Sequence, residues 1–305
     1  MYDVIVVGGG PAGMSATLYT LRNGKTVLLL EKTTFGGQMT HSPKIENYPP
    51  FLQISGNELA EKMLDQIISQ GADIELEQVI SVEDGPEFKT VRTDSGRCFE
   101  GRTVILATGV RHRMLGLEGE EDLVGEGISY CAVCDGDFYF DQVVCVAGGG
   151  NSALQEALLL ADSCKNVIIL QDLPHCTGEQ KLLELLRRKP NVRIRTSIRI
   201  LSLCTGEHGL SGLEVENTLT GDRSHIDCEG LFVAIGLIPE NDPFANVARL
   251  TERGYFDSGE DCLTGTPGIF VAGDCRRKTV RQITTACADG AVAALAACHY
   301  LDMQD

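Results

Sequence analysis

Basic residues are scarce in this sequence of 305 residues. It contains 26 lysines and arginines against 43 aspartates and glutamates, which gives a formal net charge of −17 at pH 7. Such a surface repels the phosphates of nucleic acids and the headgroups of anionic membranes. Nucleic acids and membranes are therefore not expected among the partners of this protein.

Long apolar runs are also missing, and no leader segment is expected. The chain passes from Met1-Tyr2-Asp3 directly into an apolar strand, which leaves no room for a signal peptide. The longest apolar run near the end, Ala291–Cys298, is too short to span a bilayer. Twelve cysteines without a secretion signal indicate a reducing, cytoplasmic location, where most remain thiols. We expect most isolated cysteines to be small buried hydrophobes. These are Cys98, Cys145, Cys164, Cys204, Cys228, Cys262, Cys287 and Cys298.

The sequence has a single Cys-x-x-Cys pair, Cys131 and Cys134, and no second pair that could complete a structural zinc site of four ligands. The six histidines, His299 among them, show no spacing of metal ligands or of a catalytic triad, so no metal is expected. A helix that begins at the pair would carry partial positive charge at its N-terminus, which favours a thiolate. The pair is predicted to be redox-active, with an inert buried pair as the alternative.

A glycine-rich turn near the N-terminus has the pattern of a dinucleotide-binding unit. Strand Val4–Val7 is followed by glycines at positions 8, 10 and 13, and a helix is predicted to run to about Arg22. The next predicted strand, Thr26–Leu30, ends in Glu31, which is placed to accept a ribose 2′-hydroxyl. Glycines permit close approach of the backbone to a pyrophosphate at the helix N-terminus.

A second unit of the same kind follows a plausible linker, Val110–Leu115. Strand Val143–Ala147 leads into the G-x-G-x-x-A variant at Gly148–Ala153, then a helix to about Asp162 and a strand, Val167–Leu170. A dithiol between two such turns suggests that electrons pass from a cofactor to a disulfide. The other predicted elements are a helix at Leu59–Gln70, short strands between Ile74 and Thr93, a strand at Thr103–Ala107, a helix at Glu179–Lys189 and a closing helix at Gln282–Tyr300, and Leu231–Ile235 is a further apolar run.

Read together, these motifs resemble the low-molecular-weight bacterial thioredoxin reductases over essentially the whole chain. The motifs that carry the resemblance are Gly8–Gly13, Gly36-Gly37-Gln38, Glu46-Asn47, Thr108-Gly109, Cys131–Gly136, Gly148–Ala153, Gly273-Asp274 and Arg281-Gln282-Ile283. The implied fold class is α/β, with two Rossmann-like three-layer dinucleotide-binding domains. A discontinuous FAD domain (1–112 and 241–305) would enclose a nicotinamide-type domain (113–240) that carries the dithiol. The resemblance also implies a homodimer.

The resemblance implies roles for individual residues. Cys134 would face the flavin, Cys131 would attack the disulfide of thioredoxin or a thioredoxin-like protein, and Asp135 would shuttle the proton. The residues implied in FAD binding are Gly8, Gly10, Pro11, Ala12, Gly13, Glu31, Gly37, Gln38, Asn47, Gly109, Gly273, Asp274, Arg281, Gln282 and Ile283. The turn that would hold a nicotinamide dinucleotide comprises Gly148, Gly150, Asn151, Ser152 and Ala153.

The sequence departs from the family where members that use NADPH carry His-Arg-Arg and a further arginine. Gln171–Thr177 stands there, and no arginine occurs between Arg113 and Arg187. Asp172 would repel a 2′-phosphate but could accept a 2′-hydroxyl of NADH. The pattern is also similar to ferredoxin-dependent flavin thioredoxin reductases. It disfavours NADPH, favours reduced ferredoxin as electron donor and leaves NADH open.

The sequence contains two runs of basic residues and is also compatible with two other activities. The runs Arg187–Lys189 and Arg276–Lys278 could dock an acidic donor or could be solvated faces. A flavin-dependent dithiol oxidase and a redox-sensing flavoprotein without turnover are the alternative functions.

Overall fold

The computed structural model describes residues 1–42, 44–207 and 209–304. The chain forms two compact units, unit 1 with Met1–Arg111 and Ile238–Asp305, and unit 2 with His112–Leu237. The sequence predicts domain boundaries after residues 112 and 240. Parallel strands form the central sheet of each unit, so the predicted α/β class is confirmed. Among the helices of the described chain, none has the length and apolar character needed to cross a lipid bilayer.

The first segment of unit 1 alternates strands and helices. Its elements are β1 (Tyr2–Val7), α1 (Pro11–Arg22), β2 (Val27–Glu31), α2 (Gly56–Ser69), β3 (Asp73–Leu76), β4 (Val79–Asp84), β5 (Lys89–Thr93), β6 (Cys98–Leu106) and the short β7 (Arg111–His112). The predicted end of α1 at Arg22 is confirmed. Helix α2 begins three residues before the predicted Leu59. Ser55 and Glu58 form a capping box there, in which each side chain accepts a hydrogen bond from the other residue's backbone N–H.

Unit 2 has a parallel part followed by an antiparallel part. Its elements are β8 (Ile128–Ser129), α3 (Ala132–Asp135), β9 (Val143–Ala147), α4 (Asn151–Leu160), β10 (Asn166–Gln171), α5 (Gln180–Arg187), β11 (Val192–Thr196), β12 (Ile198–Gly206), β13 (Gly209–Asn217), β14 (Arg223–Asp227) and β15 (Gly230–Val233). Strand β9 has the predicted bounds. Helices α4 and α5 both end two residues before the predicted positions.

The closing segment contributes β16 (Leu237–Ile238), β17 (Ile269–Val271) and α6 (Ile283–Asp302), and β16 pairs with β7. Helix α6 packs so closely on α1 that the backbones of the two helices are in contact at Gly290. A Cβ at Gly290 would lie 2.1 Å from the carbonyl oxygen of Ala12 and 2.9 Å from the backbone nitrogen of Ala16. This close contact explains why α6 is rich in small residues on the buried face that carries Gly290, Ala293 and Ala297.

The sheet of unit 1 has the order β3-β2-β1-β6-β5-β4, and β17 pairs in parallel with β6. Because side chains alternate along a strand, β1 supplies two cores. Val4 and Val6 join the core under α1, α2 and α6, whereas Ile5 and Val7 join the core on the opposite face. Strand β6 begins five residues before the predicted Thr103, since its first part pairs antiparallel with β5. This three-layer arrangement places the glycine-rich turn after β1 at the carboxyl end of the parallel strands.

Unit 2 has the strand order β11-β10-β9-β15-β8 in its parallel sheet and β12-β13-β14 in its antiparallel sheet. Val144 and Val146 of β9 pack towards α4 and α5, whereas Cys145 and Ala147 pack towards the antiparallel sheet. The predicted three layers are therefore present, with the antiparallel sheet as one outer layer. Of the eight isolated cysteines named above, five are buried as expected. These are Cys145, Cys164, Cys228, Cys262 and Cys298.

Candidate active site

The Cys-x-x-Cys pair lies at the start of α3, as predicted. Cys131 and Cys134 are joined by a disulfide, and Cys131 is the N-cap residue of the helix. The backbone N–H of Cys134 donates a hydrogen bond to Sγ of Cys131 at 3.2 Å. Both cysteines are partly exposed, and Val133 between them is 62% exposed. Because α3 has only four residues, this single N–H, rather than a long helix dipole, is the feature that favours negative charge on the Cys131 sulfur.

Asp135 ends the same helix and is largely buried. Its Oδ2 accepts a hydrogen bond from the Ser129 hydroxyl at 2.6 Å. Its Oδ1 is buried and has no hydrogen-bond partner within the described part of the chain. Burial raises the pKa of the Asp135 carboxyl, and the bond from Ser129 opposes this effect without cancelling it. A carboxyl with a raised pKa beside a dithiol is suited to holding a proton.

Ser129 is a site residue that the sequence reading missed. It lies on β8, is 3% exposed, and its Oγ also accepts a hydrogen bond from the backbone N–H of Cys131 at 3.1 Å. One hydroxyl therefore fixes both Asp135 and the first cysteine. The only local pattern that could have indicated Ser129 is a small polar residue directly after an apolar residue and two positions before Cys131.

Ser129→Ala is expected to shift the pH dependence of Cys131–Cys134 disulfide reduction to higher pH. The lost hydrogen bond favours the ionised carboxylate, so its removal raises the pKa of Asp135 and keeps the proton bound to a higher pH. The unpaired N–H of Cys131 should also cost about 1–3 kcal/mol of stability. Reduction rates measured across a pH series test this, with Ser224→Ala on exposed β14 as control. An unshifted profile in Ser129→Ala would contradict the assignment.

The segment before the dithiol is held by a buried glutamate. Glu120 is 1% exposed and accepts hydrogen bonds from the backbone N–H groups of Leu115, Gly116 and Leu117 at 2.8–3.2 Å. The hydroxyl of Tyr130 donates to the same carboxylate at 3.1 Å. Burial, together with the charge of Glu120, raises the pKa of Tyr130. The end of the predicted linker is thus tied to the residue that precedes Cys131.

The first glycine-rich turn has space for a pyrophosphate. A Cβ at Gly8, whose φ is +110°, would lie 2.3 Å from the carbonyl oxygen of Ala107, and a Cβ at Gly13 would lie 1.8 Å from the carbonyl oxygen of Gly8. At Gly10 a Cβ would meet nothing within 4 Å. The outer glycines are therefore needed for packing, while the middle one borders open space in front of α1, which begins at Pro11.

Glu31 lies at the end of β2, as predicted, and is buried. Its Oε2 accepts a hydrogen bond from the Gly9 N–H at 2.6 Å, and its Oε1 accepts one from the Thr33 N–H at 3.0 Å. The carboxylate thus holds the glycine turn itself. Its contact with a ribose hydroxyl stays a prediction.

The structure brings some of the other candidate cofactor residues together. Nδ2 of Asn47 donates to Oε1 of Gln282 at 3.2 Å, and Gln282 caps α6, whose first residue is Ile283. Gly37 begins a 3₁₀ helix that includes Gln38, and a Cβ at Gly37 would lie 3.4 Å from Cα of Gly10. Ala12 lies in the first turn of α1, while Gly109 has a φ of +67° and is open to the surroundings.

Asp274 follows β17 with its Oδ1 buried and without a hydrogen-bond partner in the described residues. Nζ of Lys278 lies 3.8 Å away. Burial raises the pKa of Asp274 against the opposing charges of Lys278 and Arg281. A buried acceptor without a donor fits a ligand hydroxyl, and the resemblance implied Asp274 in FAD binding. Together with the open space at Gly10, this unpaired oxygen is the observation that fits FAD to unit 1.

A buried ion cluster holds the Gly273-Asp274 turn, and it corrects one expectation. Arg276 is 1% exposed, and its Nε and Nη2 each donate to Asp289 of α6 at 2.8 Å. Lys278 donates to the same carboxylate at 3.0 Å, as does the backbone N–H of Gly273. The interpretation of Arg276–Lys278 as a docking face is therefore wrong for its first and last residues, because the buried carboxylate of Asp289 requires cations.

Arg281 is placed beside this turn rather than free to reach outward. Its Nη1 donates to the carbonyl of Lys278 at 3.0 Å, and its guanidinium lies 4.6 Å from the ring centre of Tyr255. These contacts give Arg281 a role in ordering the loop. The direct contact with FAD that the resemblance implied stays a prediction.

The second glycine turn is formed, with Gly148 at φ +124° and open space at Gly150. Ala153 is buried, while Asn151 and Ser152 are exposed at the start of α4. Oδ1 of Asn151 accepts a hydrogen bond from the Glu179 N–H at 2.7 Å. The N–H of Gly178 donates to the carbonyl of Gly149 at 2.9 Å, so the loop before α5 is bound to this turn.

The residue that corresponds to Glu31 in unit 2 is Gln171, not Asp172. The N–H of Gly8 donates to Leu30, and the N–H of Gly148 donates to Leu170, so Glu31 and Gln171 hold the same place after their strands. Gln171 is 5% exposed and lies against Gly149, and its Nε2 donates to the carbonyl of His175 at 3.4 Å. Asp172 is exposed one residue farther on. The acid expected at this position is therefore replaced by a neutral amide.

The charge of Arg187 acts on Cys176, which lies in the loop after β10. Burial raises the pKa of the Cys176 thiol, and the charge of Arg187 opposes this effect. The sequence counted Arg187 only as part of a basic run. A substitution of Arg187 therefore tests whether this residue supplies a cation for a 2′-phosphate at the loop after β10.

Comparison with known proteins places these features in a family. Residues 2–290 match the family model described as pyridine nucleotide-disulphide oxidoreductase. The chain is 38% identical to a thioredoxin reductase of Listeria monocytogenes, covering 99% of this chain and 94% of the relative. It is 35% identical to that of Bacillus subtilis, covering 99% and 95%. The crystal structure of the Streptococcus pyogenes thioredoxin reductase matches with a TM-score of 0.94 at 35% identity, covering 99% of each chain.

Proposed function

The chain belongs to the pyridine nucleotide-disulphide oxidoreductase family and, within it, to the thioredoxin reductases, and from this premise we propose how it acts and what reduces it. The protein is a flavoprotein disulfide reductase that acts on thioredoxin. The finer proposal is that electrons reach it from reduced ferredoxin, or less readily from NADH, and not from NADPH. The observation that carries this proposal is the end of β10, where the buried Gln171 and the exposed Asp172 supply no cation for a 2′-phosphate and the buried residue supplies no carboxylate for a 2′-hydroxyl.

In the proposed mechanism Cys131 is the attacking thiolate. The N–H of Cys134 supports this role, because it already donates to the Cys131 sulfur. The Cys131 thiolate attacks one sulfur of the partner disulfide, and the other partner sulfur leaves as a thiolate and takes up a proton. Cys134 then attacks the Cys131 sulfur, which restores the disulfide and releases the reduced partner. Exposed Val133 lies where a partner protein would approach.

Asp135 is proposed to hold the proton that passes between the dithiol and the partner thiolate during this exchange. Oδ1 is the oxygen not bound to Ser129, so it is the atom that would carry the proton. The chemistry that bound FAD supplies is delivery of two electrons to the Cys131–Cys134 disulfide. Gly8, Gly10 and Gly13 would hold its pyrophosphate, and Asp274 would accept a hydrogen bond from one of its hydroxyls.

The proposed choice of donor follows from charge. A bidentate arginine–phosphate contact contributes two charge-assisted hydrogen bonds of about 1.5–3 kcal/mol each, so its loss should weaken NADPH binding at least roughly a hundredfold. Gln171 and Asp172 provide no cation, and Gln171 provides no carboxylate for the 2′-hydroxyl of NADH. The missing cation disfavours NADPH and the missing carboxylate disfavours NADH, so a protein is favoured as the electron donor. Of the two basic runs, Arg187, Arg188 and Arg277 are exposed.

Anaerobic mixing of the oxidised flavoprotein with NADPH, NADH and reduced ferredoxin in turn tests the donor, with flavin bleaching as the readout. We expect rapid bleaching with ferredoxin, slow bleaching with NADH and almost none with micromolar NADPH. Rapid bleaching by NADPH that Arg187→Gln abolishes would show that Arg187 serves as the clamp and would overturn the proposal. Turnover of a thioredoxin disulfide in the same assay separates a reductase from a redox sensor, which shows none, and from a dithiol oxidase, which requires oxygen.

Two further proposals rest on the resemblance. The protein is proposed to be a homodimer, which light scattering of the flavin-loaded protein measures. It is also proposed to act in the cytoplasm, since its free thiols suit a reducing compartment.

A further inference from the structure

The antiparallel sheet of unit 2 carries a cluster of metal-ligand side chains on one face. Cys204 lies on β12, Glu214 on β13 and His225 on β14. Sγ of Cys204, a carboxylate oxygen of Glu214 and a ring nitrogen of His225 all lie within 4.8 Å of one another. Linear spacing did not indicate this cluster, because its members come from three strands and lie up to 21 residues apart.

The strand register explains why these side chains meet. Glu214 pairs with His225, and in the neighbouring row Gly212 pairs with both Cys204 and Asp227. Residues two apart on a strand share a face, so the two rows form one continuous surface. Leu213 and Ile226, on the alternate positions, point into the core of unit 2. The cluster therefore lies on the outer face of this sheet.

Gly212 makes room for the imidazole in the centre of this surface. A Cβ at position 212 would lie 2.6 Å from Nε2 and 2.7 Å from Cε1 of His225. The ring therefore lies over the glycine, and Nδ1 reaches within 4.0 Å of Sγ of Cys204 on the far strand. Any other residue at 212 would displace the ring from Cys204.

The second nitrogen of the imidazole is held by a carboxylate. Nε2 of His225 lies 3.1 Å from Oδ1 of Asp227, while Nδ1 lies 2.8 Å from Oε1 of Glu214. Histidines that bind metals commonly donate their other N–H to a carboxylate, which fixes the ring and the tautomer. Asp227 has this place, and it leaves Nδ1 directed at the other two ligand atoms.

We propose that Cys204, Glu214 and His225 form a binding site for Zn²⁺, with Asp227 as the positioning residue and a solvent molecule as the fourth ligand. A thiolate, an imidazole and a carboxylate are the ligands that Zn²⁺ takes in tetrahedral sites. Tetrahedral zinc places such ligand atoms roughly 3.4–3.6 Å apart. The 2.8 Å and 4.0 Å separations reach this value through small side-chain rotations. Binding exchanges the proton shared by His225 and Glu214, and that of the Cys204 thiol, for the ion.

The proposed ion would join both edges of the three-stranded sheet. Strands β12 and β14 are separated by β13, and each supplies one of the ligands. Zinc that binds only the folded sheet stabilises unit 2, and the stabilisation grows with the logarithm of the free zinc concentration once this exceeds the Kd. The site is distinct from the dithiol, so its occupation is expected to raise thermal stability without being needed for disulfide reduction.

Calorimetric titration of the flavin-loaded protein with Zn²⁺ tests the proposal. The Cys131–Cys134 disulfide is kept closed under argon, so that the dithiol does not compete for the ion. We expect one zinc per chain with micromolar affinity. Cys204→Ser and His225→Gln should each weaken it at least about tenfold, and Asp227→Asn by about tenfold. Gly212→Ala should also weaken it, although it removes no ligand.

Cys98→Ser is the matched control, because Cys98 is an exposed free thiol of unit 1 beside Arg92. This variant should bind zinc like the parent. All variants should keep the melting temperature of the zinc-free parent within a few degrees, which verifies folding. No binding by the parent, or equal binding by the parent, Cys204→Ser and His225→Gln, would overturn the proposal.

Discussion

Cys134→Ser is expected to accumulate a lasting mixed disulfide between Cys131 and the partner protein, whereas Cys131→Ser should form none. Cys134 is three residues from Cys131, and its backbone N–H donates a hydrogen bond to the Cys131 sulfur. Cys134 is therefore the enzyme thiol that can attack the Cys131 sulfur and release the partner. Both variants should lose turnover by at least about a thousandfold, as expected when a nucleophile is removed. The two variants thus have the same kinetic defect but opposite trapping behaviour.

The measurement is the mass of the complex on a non-reducing gel after incubation with oxidised thioredoxin, together with the reduction rate. Each variant is first reduced chemically, so that its remaining cysteine is a thiol. Cys98→Ser should behave like the parent in both assays, since Cys98 is exposed and far from the pair in sequence. Turnover at the parent rate in Cys131→Ser, or trapping by Cys131→Ser alone, would reverse the assigned roles.

The second large effect is expected for Asp289→Asn. This change removes the negative charge that Arg276 and Lys278 share, both almost fully buried. It leaves Arg276 with only the exposed Glu260 and Lys278 with only the more distant Asp274 as anionic partners. Breaking a buried ion pair on one side costs about 3–5 kcal/mol. For a domain of this size that corresponds to a fall in melting temperature of roughly 10 °C. The backbone N–H of Gly273 also loses its acceptor, so the turn that carries Asp274 should loosen.

The pH dependence of the same cluster gives an independent readout. Burial by itself raises the pKa of Asp289, but the hydrogen bonds from Arg276 and Lys278 outweigh it and lower the net value. A lowered carboxyl pKa contributes stability that is present above the unfolded pKa of about 4 and is lost as the pH falls through the folded value. The parent should therefore lose stability in acid more steeply than Asp289→Asn.

Asp257→Asn is the control, because Asp257 forms longer pairs with the exposed Arg249 and Arg277 at 3.8 Å and 3.4 Å. Such pairs contribute about 0–1 kcal/mol. Thermal unfolding of the flavin-loaded proteins at equal FAD concentration measures the difference. If Asp289→Asn and Asp257→Asn melted alike, the cluster would have no special role in unit 1.

Local patterns predicted the two Rossmann-like units well. Strand β9 was predicted at its observed bounds, and α1 ends at the predicted Arg22. Such patterns work because a glycine turn between an apolar strand and a helix is encoded in adjacent residues. Errors of a few residues arose at α2 and β6, where a capping box and an antiparallel partner extend the element. Both extensions depend on contacts that periodicity does not report.

The residues that hold the site were harder to predict than the residues that carry its chemistry. Cys131, Cys134 and Asp135 form a short motif, whereas Ser129 gains its importance only from two hydrogen bonds made after β8 is placed. Asp289 lies in an alanine-rich helix and reads as an ordinary polar position. The sequence assigned the position of the ribose-binding acid to Asp172 and not to Gln171. Only the alignment of the strands in the two units shows that Gln171 corresponds to Glu31.

The sequence by itself determined the α/β class, the two glycine turns and the single dithiol, since each is written in residues close together in the chain. The tertiary structure alone decided which charges are buried, which hydroxyl holds the dithiol and which ligands converge on β12, β13 and β14. The physical reason is that burial, charge pairing and ligand geometry are properties of distances in space. Residues such as Arg276 and Asp289, or Cys204 and His225, acquire those distances only when strands and helices pack.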